Sequence, residues 1–216
     1  MENKKDTIQE EIIVSEITEK DWKKIRNDLN FIGLMTKHAK EKRCRLIVSG
    51  GYAADGSLGQ ITRPHRDVDI QVYGQEDEAE QLVNQLVKEI KEGEPSLSGL
   101  GVKDKKRQDF YHSFFVEGNG LGSDVYYIQV VGNPFDNEKV VVKKDGTHTE
   151  RQEFDTVQVE LEGVSFETTN PTSELVDILY KREIRNDKPK PEHEQDIANL
   201  RLITDAKEVE MRFAKV

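Results

Sequence analysis

A single cysteine, Cys44, stands in a chain of 216 residues, so one chain can close no disulfide and assemble no thiolate zinc site. Cys44 therefore reads as a small buried apolar residue. Long apolar runs are missing as well. No stretch approaches the ~18 apolar residues of a membrane span, and the N-terminus, MENKKDTIQEE, carries charges where a signal peptide needs an apolar core. These absences lead us to expect a cytoplasmic protein with no membrane partner. Basic charge is also short: 32 Lys and Arg against 42 Asp and Glu leave a formal charge of -10, which disfavours broad contact with nucleic acid and leaves it open only as an acceptor met through a local basic patch. Hydrophobic residues make up 35% of the chain and charged ones 34%, but the apolar positions recur periodically. That pattern describes a globular protein with a polar surface, not a disordered one. The sequence contains no internal repeat and does not reveal an oligomeric state.

The length suits one good core or two small ones. We expect a flexible, solvated tail over 1–14, a main domain over 15–168 and a helical portion over 169–216. From Thr18 onward, Trp22, Ile25, Leu29, Ile32 and Met35 recur at three- and four-residue steps, the apolar stripe of a long helix. RLIVS (Arg45 to Ser49) is a short buried strand leading to Gly50 and Gly51, and Ala79, Leu82, Val83, Leu86, Val87 and Ile90 mark another helix. Glu92 to Gln108, rich in Gly, Ser and Lys and without periodicity, reads as a loop. DFYHSFFV and DVYYIQVV, joined by EGNGLGS, read as a β-hairpin, and VVVKK and TVQVELEGVSFET as further strands of the same sheet. Asn170-Pro171 is a helix start, with an N-cap residue followed by proline at the first helical position. A last helix is expected near Pro191, after the linker NDKPKPEHE. The order indicates an α+β protein with a mixed sheet.

The chemistry concentrates in SGGYAADGSLGQITRPHRDVDIQV, Ser49 to Val72. Two glycines at the end of a strand let the backbone turn tightly and bring its N–H groups close to another group. With a helix starting just afterwards, those groups and the helix dipole suit a phosphate. Asp67, Asp69 and Gln71 alternate with Val68, Ile70 and Val72, the period of a half-buried strand, so both carboxylates project from one face. Like charges crowded on a strand repel, and a divalent cation relieves that repulsion. Magnesium is commonly held by one or two carboxylates together with substrate phosphates.

This stretch resembles the nucleotidyltransferases that inactivate antibiotics, in particular the lincosamide and aminoglycoside 2''-nucleotidyltransferase group, in which Gly-Gly-Trp, Asp, Gly, Arg-x-His and Asp-x-Asp occur at this spacing. Gly50, Gly51, Asp55, Gly59, Arg63, His65, Asp67 and Asp69 fall on that pattern, with Tyr52 replacing the tryptophan. EHEQDIANLRLIT resembles the family's C-terminal helix through His193, Asp196, Asn199 and Leu200, although His193 and Asp196 read more simply as a helix-surface pair. The resemblance implies a polymerase-β-like nucleotidyltransferase fold, a mixed β-sheet flanked by helices with further helices at the C-terminus. It implies transfer of a nucleoside monophosphate from a Mg2+-bound nucleoside triphosphate to a hydroxyl of a small molecule such as an antibiotic. Gly50 and Gly51 would carry the triphosphate, Ser49 would add a hydroxyl contact, and Asp67 and Asp69 would hold magnesium. Arg63 and His65 would either contact phosphate or fix the loop before the strand.

The family also supplies a third acid from a neighbouring strand, which here reads SDVYYIQVV. One alignment puts Tyr127 at the acidic position and Gln129 at the histidine that follows it, leaving no general base. A shifted register puts Asp124 there and completes a triad. Strand faces alternate, so the two are mutually exclusive. Asp109 and Glu117 are weaker substitutes. The Asp124 register predicts an active enzyme; the Tyr127 register predicts an impaired one or a module that only binds nucleotide. A toxin-like transferase acting on RNA or protein is the remaining alternative. KDKKR (Lys103 to Arg107) reads as a solvated basic loop, the aromatics of the hairpin as core, and His38, His112 and His148 have no partners at metal-ligand spacing.

Overall fold

Thr18 starts the first regular element, α1 (Glu19–Glu41), through a capping box: its N–H donates to Asp21 Oδ2 at 2.9 Å and its Oγ1 accepts from the Asp21 N–H. In this computed structural model the described residues are 11–74, 79–108, 111–129, 138–142, 149–183 and 190–214. The apolar stripe of α1 buries Ile25, Leu29, Ile32 and Met35, as its spacing requires. The chain then enters β1 (Arg45–Ser49), turns through α2 (Gly51–Leu58) and returns antiparallel as β2 (Val68–Gly74). Helix α3 (Ala79–Gly93) follows, and then β3 (Gly101–Gln108), β4 (Tyr111–Gly118) and β5 (Leu121–Gln129) form an antiparallel meander. A separate two-stranded ribbon pairs β6 (Glu138–Val142) with β7 (Thr149–Glu153). β8 (Thr156–Leu161) and β9 (Val164–Thr169) complete the strands, and α4 (Pro171–Glu183), α5 (Pro191–Arg201) and α6 (Ala206–Phe213) end the described chain.

The main sheet has the order β3-β4-β5-β2-β1-β9-β8, mixed because β5 runs parallel to β2 and β9 parallel to β1. One face is packed by α1 and α3, where Val48, Ile70, Val72, Val125, Phe114 and Phe166 join the helix residues in the main core. A second cluster, built on Ala54, Leu175, Leu179, Ile197 and Leu200, joins α2 to the three terminal helices. The protein is thus α+β, with a mixed sheet flanked by helices.

Three sequence expectations change. The stretch expected as a loop over Glu92 to Gln108 ends α3, makes a 3-10 turn at Pro95–Leu97 and forms β3. β3 stands at the end of the sheet, and lysine-rich composition is a usual means of blunting an exposed edge, which disguises the strand pattern. β6 belongs to its own ribbon, not to the main sheet. The C-terminal portion adds a further helix, α6, capped by Asp205, whose Oδ1 accepts the N–H groups of Lys207 and Glu208. Of the segments interpreted above, residues 1–10, Asp109, Phe110, Val130, Val131, residues 143–148 and residues 186–189 of the NDKPKPEHE linker lie outside the described residues. Ile13 and Ser15, by contrast, are held: the Ile13 backbone exchanges hydrogen bonds with the Asn199 side chain at 2.7 and 2.8 Å, and the Ser15 N–H donates to the Thr62 carbonyl at 2.8 Å. Among the described residues no helix is long and apolar enough to cross a membrane.

Candidate active site

Gly50 sits between β1 and α2 with φ 71° and ψ -146°, a conformation nearly reserved for glycine, and its carbonyl accepts the N–H groups of Ala53 and Ala54 to start the helix. A Cβ built on Gly50 would stand 2.5 Å from Asp69 Oδ2, so the absence of a side chain lets this carboxylate lie against the backbone of the elbow. The elbow and β2 are joined by register: Ser49 pairs with Asp69 across the antiparallel β1–β2 ladder.

On the other side of β2, the parallel ladder pairs Asp69 with Asp124 of β5 and Val72 with Tyr127. Paired residues of neighbouring strands share a sheet face ~4.8 Å apart, which brings the Asp69 and Asp124 carboxylates side by side. Both are half-buried, and Asp67, the residue before β2, is exposed. Asp124 is therefore the residue beside Asp69, and Tyr127 stands further along the strand at a position of opposite parity. Glu117 pairs with Gly122 and forms an ion pair with Lys103 at the sheet edge. Among the described residues no three His, Cys, Asp or Glu side chains converge closely enough to form a preformed metal cage. Magnesium does not need one, since it keeps several waters and takes much of its coordination from phosphates. The hard oxygens of Asp69 and Asp124, with Asp67 nearby, fit that chemistry.

Arg63 and His65, the two residues of the Arg-x-His element, back onto Gly51: a Cβ there would lie 2.6 Å from His65 Cε1 and 2.9 Å from Arg63 Nη2. Both have protein partners. His65 Nε2 lies 2.6 Å from Oδ2 of the fully buried Asp55, whose Oδ1 accepts the Thr62 hydroxyl at 2.6 Å, and its ring packs on Tyr52 with centroids 4.3 Å apart. Tyr52 in turn donates to Asp28 Oδ2 at 2.6 Å, which also pairs with Lys24. Burial raises the pKa of Asp28, and burial and then Asp28 raise that of the Tyr52 phenol. Arg63 donates from Nε and Nη2 to the two oxygens of Asp196 on α5, at 2.9 and 2.7 Å. Burial opposes the guanidinium charge most strongly, but the Asp196 hydrogen bonds together with the charges of Asp196, Asp55 and Glu192 outweigh it and hold the pKa of Arg63 above its ordinary value. Asp196 is 3% exposed, so it is not half of a helix-surface pair; His193 is half-buried, with its pKa lowered first by burial and then by Lys190.

Sequence reasoning passed over two residues of α4. Glu174, 5% exposed, accepts the Gly50 N–H on Oε1 at 3.2 Å and the Thr169 hydroxyl on Oε2 at 2.6 Å, and burial raises its pKa to about 7. Lys181, two turns further on, pairs with Asp177, and its pKa is raised, against burial, by Asp177, Glu174 and Asp69. The only sequence signal for either was a carboxylate in a first helical turn and a lysine in the last, ordinary responses to the helix dipole.

Residues 33–98 match the family model of the aminoglycoside-2''-adenylyltransferases, a span that includes β1, the glycine elbow, Asp67 and Asp69. No curated protein sequence matches the chain. Among solved structures, the antibiotic-resistance factor ANT(2'')-Ia in solution superposes with a TM-score of 0.61 at 17% identity, over 88% of this chain and 91% of that one. ANT(2'')-Ia in complex with adenylyl-2''-tobramycin gives a TM-score of 0.60 at 17% identity, over 88% and 96%. Lincomycin-bound LnuA, a lincosamide antibiotic adenylyltransferase, gives 0.53 at 17%, over 88% and 100%. The fold is that of the polymerase-β-like nucleotidyltransferases. The likeness read from Ser49 to Val72 thus extends to the architecture of most of the chain.

Proposed function

We propose that the protein is a cytoplasmic magnesium-dependent nucleotidyltransferase that moves a nucleoside monophosphate from a nucleoside triphosphate to a hydroxyl of a small molecule, an antibiotic being the class suggested by ANT(2'')-Ia and LnuA. The observation that carries this reading is the register of Asp69 with Asp124 directly beside the Gly50 elbow. Asp67, Asp69 and Asp124 would hold magnesium, which when bound neutralises charge on the phosphate oxygens. The backbone of Gly50 and Gly51, at the positive end of α2, cradles the triphosphate, with the Ser49 hydroxyl at its edge. Lys181, whose ammonium is held in its charged form against burial first by Asp177 and then by Glu174 and Asp69, adds positive charge on the same side. Arg63 and His65 hold the elbow through Asp196 and Asp55 instead of contacting phosphate. Asp124 would accept the proton of the acceptor hydroxyl, and the oxygen of that hydroxyl would form the new bond to the α-phosphorus as the bond to pyrophosphate breaks.

Pyrophosphate release tests this directly, measured with each nucleoside triphosphate against a panel of aminoglycosides and lincosamides. Acceptor-dependent release that needs magnesium and falls at least 100-fold in Asp124→Asn, with nucleotide binding retained, is the expected result. Release unaffected by Asp124→Asn would remove the carboxylate role. Label appearing only in RNA or protein of an added cell extract would reassign the acceptor.

A further inference from the structure

The elbow glycine is gripped from behind by a carboxylate that belongs to neither the nucleotide loop nor the acidic triad. Glu174 lies in the first turn of α4, a helix started by Asn170, whose Oδ1 accepts the Thr172 N–H at 2.9 Å. Its two oxygens reach in different directions: Oε1 to the Gly50 N–H and Oε2 to the Thr169 hydroxyl at the end of β9. Each hydrogen bond ties a different part of the fold to α4. Burying a carboxylate is costly without such bonds, and an aliphatic residue would fill the same volume without that cost. What an aliphatic residue could not provide is an acceptor for the Gly50 amide.

That amide is where position matters. Gly50 adopts a backbone conformation that costs a polypeptide something to hold, and on its other side lies the Asp69 carboxylate. An acceptor fixed behind the elbow determines how far Gly50 stands from Asp69, and how the following N–H groups of α2 are aimed. We propose that Glu174 is a positioning residue of the nucleotide site: by accepting the Gly50 N–H it fixes the elbow at the distance from Asp69 at which both engage a magnesium-bound triphosphate. This rests on the nucleotidyltransferase reading. Glu174 touches neither substrate nor metal and acts through Gly50. Lys181 and Asp177, the charged groups near Glu174 on its own helix, leave the hydrogen-bond geometry to Gly50 and Thr169.

The test is the affinity of the full-length protein for magnesium-bound triphosphate, by titration calorimetry, in three variants with thermal unfolding recorded for each. Glu174→Gln keeps an acceptor oxygen at the Gly50 amide, and its amide nitrogen can donate to the Thr169 hydroxyl. Glu174→Met keeps the volume and removes the acceptor. Glu174→Asp keeps the charge but is one methylene too short to reach both partners. We expect Gln within threefold of wild type, and Met and Asp weakened about tenfold or more, in a KM rise larger than any fall in kcat. Should Met fail to fold, the Gln and Asp pair still decides. Equal affinities in all folded variants overturn the proposal. A folded wild type that binds no triphosphate overturns it too, by removing the function on which it rests, and so the two failures are told apart by the wild-type titration alone.

Discussion

Replacing Gly51 by alanine adds one methyl group at the most crowded point behind the elbow. The new Cβ would overlap Nδ1 of His65 and stand 2.6 Å from Cε1 of that ring and 2.9 Å from Arg63 Nη2. Ordinary van der Waals contact begins near 3.4 Å, so the ring must retreat by roughly 1 Å or the elbow must open. Neither movement is free. The ring is held by Asp55 at 2.6 Å and packed on Tyr52, and the guanidinium is held by both oxygens of Asp196. Overpacking of this kind costs ~1–3 kcal/mol, and lengthening a buried hydrogen bond adds ~1 kcal/mol. Against this, alanine gains up to ~1 kcal/mol over glycine in a helix. The net expectation is a loss of about 2 kcal/mol, a Tm lower by roughly 4–8 °C for a protein of this size, together with weaker triphosphate binding as the amides move. Differential scanning calorimetry and nucleotide titration read the two effects. An unchanged or higher Tm, with unchanged affinity, would refute the packing account of Arg63 and His65.

The Arg63–Asp196 pair can be measured by a double-mutant cycle: each single alanine variant should cost ~3–5 kcal/mol by stranding a buried charge, and the double variant should cost much less than the sum. Strict additivity in urea unfolding would show that the pair is not coupled. Glu174 predicts a pH effect. Its pKa of about 7 in the folded protein, against an ordinary 4.5, means that the native state keeps a proton which the unfolded chain releases between those values. Its contribution is thus fully present below pH 4.5 and is lost as pH rises through 7, on the order of 3 kcal/mol. Urea unfolding at pH 5 and pH 8 should therefore show a smaller difference between the two values in Glu174→Gln than in wild type; identical differences would contradict a raised pKa.

Much of the centre of the fold was legible in the sequence because its signals are local. The apolar stripe of α1 through Ile25, Leu29, Ile32 and Met35, the β1 run ending in two glycines, the two-residue period of β2 and the Asn170-Pro171 helix start each depend on neighbours in the chain, and each appears where expected. What could not be read was set by pairing at a distance. Parity alone allowed either Asp124 or Tyr127 beside Asp69; only the β2–β5 ladder selects between them. Asp196 looked like a surface residue because its partner, Arg63, is 133 residues away, and Glu174 looked like an ordinary first-turn acid because Gly50 is 124 residues away. β3 was misread for another reason: an edge strand can be almost wholly polar, so hydrophobic alternation gives no sign of it.

The central claim is that Asp69, between the elbow and Asp124, organises a magnesium-dependent triphosphate site. Titration of the wild type with ATP, GTP, CTP and UTP, with and without magnesium, alongside Asp69→Asn, tests it most directly. The account predicts saturable binding of at least one triphosphate that requires magnesium and weakens at least tenfold in the variant, a difference of ~1.4 kcal/mol. Binding that is equally tight in wild type and Asp69→Asn, or indifferent to magnesium, would contradict it.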